Sequence, residues 1–188
     1  PPELILIKKL NAATDWTAGA LDWTKYLELN GTPPFRTANV WQNTAPTSTV
    51  FTLATGGDSN GNGDTMIAYA FHSVDGFSKI GNYDGNGSTN GTTVETGFEP
   101  AFVLIKNTTS TDNWIVFDNA RNTTNPRTKA AITNSAGENT EAGAVLNFYS
   151  NGFQSVGTGG GAGSGGINNN GDTYIYMAFA ADPDTEAP

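Results

Sequence analysis

The chain has 188 residues, of which 37% are hydrophobic and 11% aromatic, so it is long enough to bury a core as one domain or two small ones. Nine basic against eighteen acidic residues give a net charge of -9, which repels phosphate backbones and anionic lipid, so no nucleic-acid partner is expected. The absence of cysteine excludes disulfides and thiolate metal sites, and no stretch approaches the roughly 20 apolar residues of a membrane span, so no membrane insertion is expected.

Short apolar or alternating runs, rich in β-branched and aromatic residues, recur along the chain and predict strands. In chain order these runs are Leu4 to Ile7, Tyr26 to Leu29, Val50 to Leu53, Met66 to Phe71, Phe102 to Ile105, Trp114 to Phe117, Val145 to Tyr149 and Tyr174 to Phe179. The pair Asn151-Gly152 predicts a hairpin turn, since Asn-Gly tolerates positive φ. Continuously apolar runs indicate strands buried on both faces. The sequence therefore predicts an all-β sandwich of jelly-roll or lectin-like type.

The sequence contains an internal duplication, from which we predict the domain organisation. Three blocks align without gaps: Pro2 to Lys8 and Trp16 on Pro100 to Lys106 and Trp114, Thr24 to Asn30 on Thr128 to Asn134, and Asn60 to Phe71 on Asn168 to Phe179. The offsets are 98, 104 and 108 residues in turn, so the copies differ mainly by loop insertions. We predict a first repeat over 1-75, a second over 76-180, and an acidic tail or linker over 181-188.

Five segments carry a family likeness: Trp41 to Phe51, Val74 to Gly87, Thr96 to Lys106, Trp114 to Arg121 and Gly171 to Ala180. They resemble a duplicated repeat family of unknown function that is common in marine bacteriophage sequences, often beside tail-fibre or lectin-like modules. The resemblance covers nearly the whole chain and supplies no catalytic residue. It implies a virion or extracellular location, with other virion proteins or copies of the same chain as partners and a host-surface glycan as a further candidate.

The two copies differ at their start. Gly76 to Phe98 precedes the second copy, and the resemblance makes such a segment the opening of each repeat, but the first copy begins at Pro1 without one. Either the chain is a fragment, or the first sheet lacks a strand and exposes an open edge along Leu4 to Ile7. We expect this edge to be filled by upstream sequence or by a strand from a neighbouring copy.

A half-pattern for calcium lies between two predicted strands. Its candidate oxygen ligands are Asp58, Asn60, Asn62 and Asp64, on alternate residues of a calcium-loop motif. The closing glutamate is missing, because Tyr69 stands at the twelfth position. The alternative is an Asx-rich turn in which Asp64 and its repeat equivalent Asp172 accept backbone N-H bonds. The expected cofactor is none, with calcium as the alternative.

Catalytic groups are sparse in the sequence. His72 is the single histidine, and no orienting partner accompanies it in a motif. Glu95 and Glu99 lie beside a predicted strand without a defined cleft. The Gly-rich run 157-166 lacks the lysine of a phosphate-binding loop. We therefore expect no enzymatic activity.

A glycan site would use aromatic faces beside Asn and Asp side chains. Trp16 and Trp114 are repeat-equivalent and are predicted to be core residues, whereas Trp23 aligns with Arg127 and answers to no structural demand common to both copies. The candidate glycan-binding set is Trp23, Tyr26, Asp22 and Trp41, with core burial as the alternative for each tryptophan.

These observations give three functional hypotheses. The leading one is a non-enzymatic structural or adhesive, receptor-binding domain associated with a phage virion or tail fibre. A secreted carbohydrate-binding module is the alternative, and a glycan-active enzyme is the distant third.

Overall fold

The computed structural model describes residues 1-57, 59-134, 138-139, 145-156 and 166-181, and every regular element in these residues is a β-strand. No helix able to cross a membrane is found in this part of the chain. The chain divides into two compact units, Pro1-His72 (unit 1) and Ser73-Pro188 (unit 2). The predicted all-β class is confirmed. Most of the Gly-rich run and of the acidic tail lies outside the described residues.

Unit 1 is a five-stranded antiparallel sheet. Its strands are β1 Leu4-Lys9, β2 Thr17-Ala20, β3 Lys25-Glu28, β4 Arg36-Thr37 and β5 Met66-Phe71, in the spatial order β4-β3-β2-β1-β5. The first four strands follow one another by short connections, and β5 returns along a long connection to lie beside β1, which is a Greek-key return. The core beside the sheet contains Ile5, Ile7, Trp23 and Trp41.

One predicted strand in unit 1 is wrong. Val50 to Leu53 has no ladder partner and is irregular backbone. Its apolar residues Phe51 and Leu53 instead pack as a covering loop on the core. The Leu53 carbonyl accepts a 2.9 Å hydrogen bond from the Gln42 side-chain amide. This side chain supplies the donor that a neighbouring strand would otherwise supply.

Unit 2 is a β-sandwich. Its strands are β6 Ser78-Asp84, β7 Thr93-Glu95, β8 Pro100-Asn107, β9 Trp114-Asp118, β10 Ala130-Ile132, β11 Glu138-Asn139, β12 Val145-Tyr149, β13 Gly152-Val156 and β14 Thr173-Ala180. One sheet has the order β11-β10-β9-β8-β14-β6, and the other has the order β12-β13-β7. Apolar residues of both sheets, such as Val103 and Phe153, share one buried core. The predicted hairpin is confirmed, with Tyr149 opposite Gly152. The full jelly-roll connectivity stays a prediction.

The larger sheets of the two units pair their strands in the same register at aligned positions. Leu4 lies opposite Ala20 and Phe71, as Phe102 lies opposite Asp118 and Phe179; Ala18 lies opposite Leu27, as Val116 lies opposite Ala131. Strand for strand, β1, β2, β3 and β5 match β8, β9, β10 and β14. Among the described strands, β6 pairs with β14 and nothing in unit 1 takes the equivalent place beside β5.

The open edge predicted along Leu4 to Ile7 is wrong. β1 is an inner strand, paired with β2 on one side and β5 on the other. The reason is the Greek-key return, which brings β5 to the side of β1 that the sequence alone leaves unassigned. The edge strands of this sheet are β4 and β5.

Candidate functional site

Two of the four predicted glycan contacts are buried, which is a correction to the sequence-based prediction. Trp41 is 0% exposed and Trp23 is 9% exposed. Their rings meet edge to face with centroids 5.3 Å apart, so neither can present a face to a sugar. Both are core residues of unit 1.

Trp23 is buried at a position that is also buried in unit 2. Its aligned residue Arg127 is also buried, with its guanidinium 4.2 Å from the centroid of the Phe148 ring. Both aligned positions therefore hold a large, flat, buried group, an indole in unit 1 and a guanidinium in unit 2.

The remaining two members of the set lie at the surface. Tyr26 on β3 is half-buried and lines a depression of mixed polarity whose other members are Asp15, Thr17, Glu28, Ala38, Val40, Gly56, Gly57 and Ser59. Asp22 lies outside that depression and serves its own turn, where Thr24 Oγ1 donates to Asp22 at 2.6 Å. This bond and the contact with Lys25 lower the pKa of Asp22 to about 2.

The carboxylates of the Tyr26 depression are held by neighbouring donors. Asn30 Nδ2 donates to Asp15 Oδ1 at 2.8 Å, and Arg36 Nη1 lies 2.6 Å from Glu28 Oε1. A phenol face beside two fixed carboxylates and a hydroxyl is a set of groups that can stack on a sugar ring and accept its hydroxyl protons. We take this depression as the candidate binding site.

The two tryptophans predicted for the core divide between core and surface. Trp114 is 1% exposed, which confirms its predicted burial. Trp16 is only half-buried, and its ring centroid lies 6.1 Å from that of Tyr69, which is 46% exposed. The sequence does not reveal this aromatic pair, because Trp16 and Tyr69 are 53 residues apart. They come together only because β2, which follows Trp16, and β5, which contains Tyr69, pair with the two sides of β1.

The predicted calcium loop is described only in part. Asp58 lies outside the described residues, so the ligand set as predicted stays a prediction. In the described part of the chain, no group of three or more His, Cys, Asp or Glu side chains is close enough to hold a metal ion. Asn60, Asn62 and Asp64 line an open depression that also includes Gly61 and Gly63.

Asp64 and its equivalent Asp172 each fasten a turn to the end of an inner strand, which is β1 for Asp64 and β8 for Asp172. Lys9 Nζ lies 2.8 Å from Asp64 Oδ1. Asp172 accepts bonds of 2.8, 3.0 and 2.9 Å from Asn107, Asn169 and Ser110. Burial raises the pKa of Asp172, but these three bonds outweigh it and hold the pKa below its ordinary value. These donors are side chains, whereas the turn hypothesis expected backbone N-H groups.

A lysine that bonds a loop carbonyl is also repeated, and it is half-buried in unit 1 and buried in unit 2. Lys8 Nζ donates to the Thr14 carbonyl in unit 1, and Lys106 Nζ donates to the Asp112 carbonyl at 2.7 Å in unit 2. Both pairs are six residues apart and are related by the 98-residue offset. Burial lowers the pKa of Lys106 to about 8, against the opposing effect of Asp112.

The residues considered for catalysis lie apart from these contacts. His72, Glu95 and Glu99 are all exposed. The architecture and the site define an all-β domain in which charged side chains fasten strand ends.

The chain belongs to the family described as a domain of unknown function (DUF7483), which matches residues 1-183. Neither the curated proteins nor the solved structures contain a match to the chain.

Proposed function

We propose that the chain is a non-enzymatic structural and adhesive module of a phage virion or tail fibre. The observation that supports the proposal is that charged side chains of the chain are held in contacts that close loops and turns. At aligned positions of the two units, Lys8 and Lys106 close loops onto backbone carbonyls, and Asp64 and Asp172 fasten turns. A side chain that is committed to such a contact contributes to rigidity and is not available for proton transfer.

We infer that the two units arose by duplication of one sheet. The equal registers support this, and so do the loop bonds that repeat at the same offsets. Leu10 N-H donates to the Thr65 carbonyl at 2.8 Å, and Thr108 N-H donates to the Thr173 carbonyl at 2.9 Å. Gly63 and Gly171 both have φ near +80°, in turns of the same length. Repeated β-units suit extended surface proteins.

The virion context is supported by the resemblance to phage repeat sequences. Its test is mass spectrometry of purified particles from a phage that encodes the chain. We expect the chain at a fixed copy number per particle, and expect antibodies to it to label a defined part of the particle. Its absence from washed particles would contradict the virion assignment.

The depression around Tyr26 favours carbohydrate binding as a second candidate function. A glycan array with purified protein, with and without calcium, gives the direct test. We expect a glycan signal that the Tyr26→Ala variant loses and the Tyr69→Ala variant keeps, since Tyr69 does not line the depression. A signal that both variants keep would remove this site from consideration.

A further inference from the structure

The outer edge of β5 in unit 1 has a defined set of backbone groups directed away from the sheet. Leu10 N-H donates to the Thr65 carbonyl, so Thr65 faces β1. In an antiparallel ladder, residues alternate between facing one neighbour and facing the other. Ile67 and Tyr69 therefore also face β1, and the N-H and carbonyl groups of Met66, Ala68 and Ala70 point away from it. No partner for these outward groups is found in the described part of the chain.

The same edge is occupied in unit 2. The residues of β14 equivalent to Met66, Ala68 and Ala70 are Tyr174, Tyr176 and Ala178, which pair with Tyr83, Gly81 and Lys79 of β6. The pairing is continuous over the seven residues Ser78-Asp84, and it is antiparallel. At one end Gly85 N-H donates to the Asp172 carbonyl at 2.9 Å, and at the other Ala180 N-H donates to the Phe77 carbonyl at 2.9 Å.

Other long edges of this chain are capped by local groups. On the outer edge of β12, Arg127 and Leu146 exchange backbone bonds of 2.8 and 3.1 Å, and the Asn125 side chain bonds both the N-H and the carbonyl of Phe148. On the outer edge of β6, Val74 and Ser78 exchange bonds of 3.0 and 2.9 Å. These contacts occupy the groups through which another strand would pair.

The sequence of β5 carries neither a charge nor a proline to protect its edge. The strand Met66-Phe71 contains no charged residue and no proline, and Ala68 and Ala70 are exposed. An uncharged edge of six residues is long enough to pair with a peptide in the manner of strand addition.

We propose that the β5 edge is a docking site for an extended peptide segment with the chemistry of β6, supplied by another polypeptide. The segment adds antiparallel to β5, with its backbone bonded to Met66, Ala68 and Ala70. The occupant is seven residues long, and its pattern of burial follows that of β6, where Ser78, Ile80 and Tyr83 are buried and Asn82 and Asp84 are exposed. This inference goes beyond the proposed function, because it holds whether or not the protein belongs to a virion.

The test uses the whole 188-residue chain and a synthetic peptide with the sequence of residues 76-86. Amide exchange of the ¹⁵N-labelled chain is followed by NMR while peptide is added. We expect protection at Ala68 and Ala70 to rise about tenfold or more at saturation, without loss of protection at Tyr176 and Ala178. No rise at Ala68 and Ala70 would overturn the proposal.

Two modified peptides provide a matched control that leaves the chain unchanged. The amides of Lys79, Gly81 and Tyr83 face the partner strand in unit 2, and the amide of Asn82 faces away. N-methylation of the peptide at Gly81 should abolish the protection, and N-methylation at Asn82 should preserve it. Equal behaviour of the two peptides would contradict strand addition.

A chain variant and a concentration series complete the test. Ala68→Pro removes one outward N-H, and we expect it to lose the response to peptide and to keep the protection of Ile67 and Tyr69. If this variant fails to fold, the methylated peptides still decide the question. Protection of Ala68 that rises with protein concentration in the absence of peptide would assign the edge to a second copy of the chain and overturn the proposed occupant.

Discussion

The backbone of Gly19 lies directly against the indole ring of Trp41. A Cβ atom built on Gly19 would be 2.5 Å from two ring carbons of Trp41, which is closer than real Cβ contacts come. The aligned residue in unit 2 is Phe117, which is fully buried. In unit 1 the space beside this position is filled by the Trp41 ring, which packs on a glycine. In unit 2 the residue at the aligned position, Phe117, fills the core with its own side chain.

Gly19→Ala should therefore destabilise unit 1. The added methyl group must displace a ring in a packed core, which costs about 1-3 kcal/mol in the free energy of unfolding. Urea unfolding followed by tryptophan fluorescence measures this loss. Gly57→Ala is the control, because no atom lies within 4 Å of a Cβ built there. Equal stability of the two variants would show that the core around Trp41 is loose.

Because the pKa of Lys106 is lowered in the folded chain, we expect the free energy of unfolding to rise at alkaline pH. Its pKa is about 8 in the folded chain because of burial, against an ordinary value of 10.5. The unfolded state therefore binds more protons between these values, and the free energy of unfolding increases with pH across the window by about 3 kcal/mol at most.

The tyrosines of the unit 2 core limit this gain. Burial raises the pKa values of Tyr83 and Tyr174 above 10.0, so their ionisation in the unfolded state removes stability above that pH. Urea midpoints between pH 7 and 11 should pass through a maximum near pH 10. The Lys106→Met variant should lose the rising limb, and a rising limb of unchanged size in that variant would refute the assignment.

Asp172 and Asp64 should contribute unequally to stability although they are aligned. Asp172→Ala leaves three side-chain donors without their acceptor and should cost about 3 kcal/mol, whereas Asp64→Ala breaks one ion pair and should cost about 1 kcal/mol or less. Because the folded pKa of Asp172 is lowered, its contribution is present above the unfolded pKa and is lost as pH falls through the folded one. Thermal unfolding at pH 7 and pH 3 compares the variants; similar losses at pH 7 would contradict the difference.

Calcium binding at the loop of Asp58, Asn60, Asn62 and Asp64 predicts stabilisation by mass action. Differential scanning calorimetry with millimolar calcium should give a higher Tm than with EDTA, and Asp58→Ala should lose the difference. Superimposable curves for the unmodified chain would leave the Asx-rich turn as the correct interpretation.

The sequence predicts strands where apolar residues run together, and it misses those defined by packing. Phe102 to Ile105 and Tyr174 to Phe179 are apolar, and both lie within observed strands. The sequence does not predict the strand Thr17-Ala20, because its small side chains give no hydrophobic period. Gly19 within this strand leaves the space that the Trp41 ring occupies. Ser78-Asp84 was missed because its polar and glycine positions are set by the partner strand β14.

The candidate site could be predicted only in part, for the same reason. Trp23 could not be assigned to the core from an alignment in which an arginine stands at its position, because burial of that arginine is visible only in three dimensions. Tyr26 was found from its neighbours in sequence. Glu28 lies two residues from Tyr26 on the same face of β3, whereas Asp15 and Thr17 reach the same depression only through the pairing of β2 with β3.

Four strands of the two larger sheets share one pairing scheme, and among the described strands only β14 has a further partner, β6, where β5 has none. Amide hydrogen exchange on the chain alone, read by NMR at aligned positions, tests this difference. Ile67 and Tyr69 should be protected, like Ile175 and Met177, because all four face an inner strand. Ala68 and Ala70 should exchange quickly while Tyr176 and Ala178 exchange slowly. Equal protection of the two outward sets in dilute solution, or fast exchange at Ile67 and Tyr69, would contradict the account.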